Sequence, residues 1–325
     1  MLAYPLQRQR HATAARERLL SRLEEFLYRL LIVPLVAFLP APLAYGIACL
    51  RGDWCCRLNA SLRARIIDNL AAVLGDRLSA AERRQVARDY FRRRSCEAID
   101  VMRLVGKGRA LARLVEIRGL EHIEAALAAG KGAMLCSAHA GSFNVCFSLI
   151  GARGFPITVV GDWRSHFAAH MSPLQRFLWR LIHERPLARH RRRSNIEPEI
   201  DRFGAAMRMV DILRANEVIA LGIETPVAPE DRARAIPVTF LGQRMLLLPG
   251  CTDVARLTGS PLLLLTVRRL PDWRHQVLEI SPPVAQDEDS AATFRRCIAM
   301  LETPVRQQPA VWDWWVDSEG LLEAA

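Results

Sequence analysis

The segment Ser137-Ala138-His139-Ala140-Gly141-Ser142-Phe143-Asn144 concentrates the groups from which proton-transfer chemistry is built. It follows the apolar run Ala133–Ser137, which reads as a buried strand, and precedes a helical stretch near residues 143–151. In open α/β sheets, ligands bind at the carboxyl ends of strands, so His139 falls where a reacting group is useful. An imidazole of ordinary pKa, about 6.5, is largely neutral near pH 7 and can take a proton from an alcohol. Gly141 permits close backbone approach, and the helix start beside Ser142 offers N–H groups to an anionic centre. A histidine satisfied by neighbouring backbone at a strand end fits the same position, and position alone does not choose between the two.

Other patterns carry less. His166 and His170 stand one helical turn apart, as in zinc sites, but the glutamate of HExxH and an obvious third ligand are missing. No metal site is expected. Cys136, His139 and Asn144 supply the residue types of a cysteine-protease triad, yet Cys136 sits inside the apolar strand and reads as a buried thiol. No GxSxG, GxGxxG or P-loop occurs, which weighs against serine hydrolases, dinucleotide enzymes and NTPases. The eight cysteines are scattered without framework spacing and read as reduced, mostly buried thiols.

The elements that must position His139 follow from periodicity. Short apolar runs at 133–137, 156–161, 218–223, 236–240, 262–267 and 277–280 alternate with helical stretches near 121–129, 143–151, 172–183, 201–215, 250–258 and 290–303. Continuous apolar strands separated by helices predict an α/β fold, with a mostly parallel central sheet flanked by helices on both faces. Upstream, residues 12–29 read as a basic amphipathic helix, and 57–74 and 79–105 as further helices. Ser79 and Glu82 have the spacing of a capping box. Arg92, Arg93 and Arg94 read as a solvated helix face, and 188–198 as a basic mobile loop.

The net charge is +11, and Lys107 and Lys131 are the only lysines. Such a balance favours anionic partners, although a GC-rich genome also yields arginine. The uncharged run Leu30–Leu50 is long enough to cross a bilayer core of about 30 Å, but Pro34, Pro40 and Pro42 argue against one straight helix. Arginines flank it on both sides, which fits a kinked, re-entrant or in-plane helical anchor on the cytoplasmic face of an inner membrane. The expected division is a membrane-associating segment, 1–52, and a single α/β domain, 53–325. An anionic membrane surface is thus an expected partner. Nucleic acid is not, because no basic–aromatic module accompanies the charge.

At this point the chain resembles the bacterial lipid A late acyltransferases. That family carries His-x4-Asp/Glu, often His-x-Gly-Asn-Trp-Glu, after its first core strand, and this chain has His139-Ala-Gly141-Ser-Phe-Asn144. Arg214-Ala-Asn-Glu217-Val218 with Leu221-Gly-Ile-Glu224, then Val238-Thr-Phe240-Leu-Gly242, then Gln308-Pro-Ala-Val-Trp312-Asp-Trp314-Trp315 resemble further family segments in the same order. Two departures are Asn144, where the family has its acid, and Val316-Asp317-Ser318, where it has a basic cluster.

The resemblance implies transfer of a fatty acyl chain from acyl carrier protein or acyl-CoA to a hydroxyl of a lipid A-like glycolipid or other amphiphile. No cofactor is implied. His139 would be the general base, with Asn144 a neutral orienting partner. Asp162 or Glu224 could supply the missing charge. Gly141, Ser142, Arg164, Arg189 and Arg191 would contact substrate, the arginines by binding phosphate. Trp312, Trp314 and Trp315 would line an acyl groove, meet the lipid interface or pack the last helix. Asn144 also leaves open a catalytically impaired relative that acts as a lipid-binding or scaffold protein.

Overall fold

The computed structural model describes residues 32–316 except 76, 161–201, 226 and 228, and the backbone alone at 105–109, 144, 202, 203, 229 and 230. In chain order the strands are β1 (Val115–Arg118), β2 (Ala133–Ser137), β3 (Ile157–Val160), β4 (Val218–Gly222), β5 (Ile236–Phe240), β6 (Gln243–Leu247), β7 (Leu262–Arg269) and β8 (Gln276–Ile280). The helices are α1 (Val33–Ala37), α2 (Ala41–Leu58), α3 (Ala60–Leu74), α4 (Ala80–Ala112), α5 (Leu120–Ala128), α6 (Phe143–Ala152), α7 (Arg202–Arg214), α8 (Gly250–Thr258) and α9 (Ser290–Gln307).

Six strands form one sheet in the order β1-β8-β7-β2-β4-β3. All its pairings are parallel except β7 with β8. Central strand β2 is buried throughout. Its Met134 and Cys136 join a core layer with α7, α8 and α9, while Ala133 and Leu135 face an opposite layer with α5 and α6. Alternation on a strand covered by helices on both faces requires this uninterrupted apolar run. The expected segment 236–240 is a strand but lies outside the main sheet, paired antiparallel with β6 across Leu241-Gly242. Its alternating burial, unlike the continuous burial of β2, marks the difference.

The capping box is present, with Ser79 N–H donating to Glu82 at 2.7 Å and Glu82 N–H to Ser79 Oγ at 3.3 Å. It starts the 33-residue helix α4, against which α1 and α2 pack. A membrane-spanning form of the expected anchor is not supported. Among the described residues no helix is long and apolar enough to cross a membrane. The run breaks between α1 and α2 because Pro40 has no N–H to continue the ladder and bends Leu39 out of helical geometry. Val33, Val36, Ala44, Tyr45 and Ala48 pack instead against Cys96, Ala98 and Ile99 of α4. Leu35, Phe38, Leu43, Leu50 and Trp54 remain exposed.

Arg93 departs from the expected solvated face as well. It is 2% exposed, and its guanidinium is held by Glu97, Asp313 and the Ala310 carbonyl. The expected helix 12–29, the stretch 172–183, the loop 188–198 and the His166/His170 pair lie outside the described residues.

A buried polar cluster joins the N-terminal helices to the sheet. Asp100, fully buried on α4, accepts from Tyr45 Oη at 2.5 Å, Ser142 Oγ at 2.9 Å and Gln276 Nε2 at 3.0 Å, and pairs with Arg269 at the end of β7. Replacing one partner of such a pair strands the other charge away from water. Arg269→Met is therefore expected to cost about 3–5 kcal/mol of folding free energy, measurable by chemical denaturation.

Candidate active site

Parallel pairing sets Ser137 of β2 opposite Gly222 of β4. Two residues beyond each strand end stand His139 and Glu224, so equal overhang on neighbouring strands brings them to one place on the sheet edge. Their side chains meet, with His139 Nδ1 3.2 Å from Glu224 Oε2. The other carboxylate oxygen accepts from the His139 backbone N–H and from Trp312 Nε1 at 3.3 Å. Glu224 is 1% exposed, which leaves its charge to these donors rather than to water. The His139 side chain is 22% exposed, so it remains reachable.

Burial works against the charged imidazole, but the Glu224 carboxylate, by charge and by hydrogen bond, outweighs it with help from Asp313. The His139 pKa therefore stands above its ordinary value. Phe143 and Trp314 meet the ring edge-to-face at centroid distances of 5.1 and 5.4 Å. Beneath it lies Gly222, where a Cβ would approach Nε2 to 2.7 Å and Nδ1 to 2.8 Å. Only a bare Cα fits there. Gly222→Ala is expected to push the ring off Glu224 and depress turnover by about a hundredfold with little change in fold, which steady-state kinetics beside circular dichroism would show.

The segment after α9 closes the other side. Ala140 bridges to Trp312 in antiparallel fashion, Asp313 N–H donates to the His139 carbonyl at 2.8 Å, and Gly141 N–H donates to the Val311 carbonyl at 2.8 Å. Gly141 has φ +62°, which explains the glycine. Its N–H is committed to Val311, and those of His139 and Ala140 to Glu224 and the Ala138 carbonyl. The N–H groups of residues 139–141 are therefore already occupied. Ser142 is likewise engaged, buried against Asp100 and Arg269.

Asn144 falls in the first turn of α6, and its side chain is outside the described residues. So are Asp162, Arg164, Arg189 and Arg191. Trp312 and Trp315 are core side chains, 1% and 0% exposed, and Trp314 is the one that faces the imidazole. Cys136 is fully buried, with its thiol pushed well up through a hydrogen bond with Cys251 and through burial, which suits an inert group. Among the described residues no cluster of His, Cys, Asp and Glu could hold a metal ion.

Sequence reasoning missed Gly222, Trp312 as a donor to Glu224, and the link from Arg93 to Asp313. Only the glycine left a readable trace, two residues before a carboxylate at a strand end.

Comparison with known proteins bears on this arrangement. A lipid A biosynthesis acyltransferase of Haemophilus influenzae is 24% identical over 205 residues, covering 63% of this chain. The chain spans 58% of that protein's own length. A lipid A biosynthesis lauroyltransferase of Escherichia coli is 25% identical over 288 residues, 86% of each chain. The model of the bacterial lipid A biosynthesis acyltransferase family matches residues 14–317, both strand ends and the closing tryptophan segment included. The chain belongs to that family of acyltransferases.

Proposed function

We propose that the protein transfers a fatty acyl group from a thioester of acyl carrier protein or coenzyme A to a hydroxyl of a lipid A-like amphiphile. The observation that carries this reading is the His139–Glu224 pair at the carboxyl edge of a parallel sheet. With Nδ1–H donating to Glu224, the Nε2 lone pair is left to act as base. The acceptor hydroxyl loses its proton to Nε2 as its oxygen attacks the thioester carbonyl. The C–S bond then breaks, the departing sulfur takes the proton from the imidazolium, and an ester and a free thiol remain. Glu224 supplies the charge that stabilises the imidazolium, a role that Asn144 cannot fill. We assign the oxyanion's donors to the N–H groups in the first turn of α6, which starts at Phe143.

The exposed face of α1 and α2 supports work at a lipid surface. Leu35, Phe38, Leu43, Leu50 and Trp54 are each more than half exposed, a density of apolar side chains that water does not favour. We assign this face to the cytoplasmic leaflet of the inner membrane, with α2 lying in its plane. Changing Leu35, Phe38, Leu43 and Leu50 together to serine is expected to release the protein from anionic vesicles in a sedimentation assay. Undiminished sedimentation would remove the assignment.

The test of the chemistry is product formation. Detergent-solubilised protein, an acyl thioester and a hydroxylated glycolipid should give the ester by mass spectrometry. The competing reading, a relative that has lost catalysis and binds lipid or scaffolds a partner, is favoured by Asn144. It predicts an inactive wild type and gain of activity in Asn144→Asp.

A further inference from the structure

Arg93 sits on α4, far in sequence from the candidate site, yet it holds both ends of the tetrapeptide that walls that site. Its Nε donates to the Ala310 carbonyl at 2.7 Å and its Nη2 to the Asp313 carboxylate at 2.5 Å. The third branch pairs with Glu97 on its own helix. Between the two anchored ends lies Trp312, whose indole donates to Glu224, and Asp313 N–H donates to the His139 carbonyl. A guanidinium buried to 2% exposure is costly unless fully paired, and here its fork is spent on this one segment and its own helix.

We propose that Arg93 is a positioning residue for acyl transfer, clamping residues 310–313 so that Trp312 aims Glu224 at His139 while the charge of Asp313 is held away from the imidazole. This rests on the reading of His139 and Glu224 as the base and its partner.

Two consequences separate a clamp from a simple support of the fold. Among the described residues, the charged and titratable groups facing His139 are Glu224 from the sheet and Asp313 from the closing segment. Behind Asp313 stand Arg93, Arg94, Glu97 and Tyr90 on α4. Asp313 favours the protonated ring, and Arg93 is its nearest counter-charge, so removing Arg93 unmasks it. Asp313→Asn, which keeps an oxygen for Arg93, therefore lowers the His139 pKa. Arg93→Gln both unmasks Asp313 and loosens Glu224, which act on the ring in opposite directions, and is read through kcat. A neutral base is needed for transfer, so the acidic limb of kcat/KM follows the ring.

The experiment titrates the His139 ring by NMR in wild type, Arg93→Gln, Arg93→Lys and Asp313→Asn, and measures kcat and KM for the thioester in the same proteins. The clamp predicts a midpoint displaced downward in Asp313→Asn. It also predicts kcat lower by about a hundredfold in Arg93→Gln at unchanged KM, with partial recovery in Arg93→Lys. Coincident midpoints in wild type and Asp313→Asn, or an equal fall of kcat and rise of KM in Arg93→Gln, would overturn it. Should Arg93→Gln not fold, Asp313→Asn and Arg93→Lys still decide. A displaced midpoint in a protein without transferase activity would leave the clamp standing and sink the proposed reaction instead.

Discussion

Replacing His139 by alanine is expected to lower kcat/KM for acyl transfer by about 10²–10⁴-fold, the usual contribution of a positioned general base. The loss should fall on kcat. The ring contacts Phe143, Trp314 and the Gly222 Cα, and those groups can still cover a bound acyl chain when it is gone. The side chain lies at the sheet edge rather than in either packed layer, and removing it leaves the core intact. Steady-state kinetics with an acyl thioester, beside a thermal melt, would check both parts. Full activity in the alanine protein would remove His139 from the chemistry altogether.

Glu224→Gln is expected to have an effect of similar size for a different reason. Glutamine keeps the shape and one oxygen, but it brings no negative charge to the imidazolium. It can also turn its NH₂ towards Nδ1 and so favour the tautomer with the proton on Nε2, where the base must be free. At the matching position of a serine protease, the change from Asp to Asn costs about 10⁴ in turnover. The Trp312 indole and the His139 N–H both donate to the same carboxylate oxygen, so a glutamine that keeps its oxygen for them is left with its NH₂ facing Nδ1. Kinetics on the purified variant decides the matter, and a loss under tenfold would mean that Glu224 orients nothing of importance.

Much of this arrangement was legible before any coordinates. The uninterrupted apolar run at 133–137 could only be an inner strand, and the polar segment that follows had to emerge at the sheet's carboxyl edge, which placed His139. Glu224 was readable as a carboxylate after another such strand. Its distance from His139 was not, because that depends on β2 and β4 being direct neighbours with Ser137 opposite Gly222. Strand order is not a local property of sequence. The same limit hid Arg93. In a run of three arginines on a helix nothing distinguishes the one that turns inward, since its partners, Ala310 and Asp313, lie more than two hundred residues away. β1 escaped notice because Val-Glu-Ile-Arg is short and only half buried. The run 30–50 was long and apolar enough for a membrane span, yet its prolines set helix starts and a break, and α4 offered half of it a partner within the protein.

The central claim is that Glu224 makes His139 the base. The pH dependence of kcat/KM, measured for wild type and Glu224→Gln, tests it most directly. In wild type the carboxylate raises the ring above its ordinary value, so activity should climb through a midpoint higher than that of a free imidazole. In the glutamine protein burial acts unopposed by Glu224, and the residual activity should climb at a lower pH. Identical midpoints in the two proteins, or activity independent of pH across the imidazole range, would contradict the account.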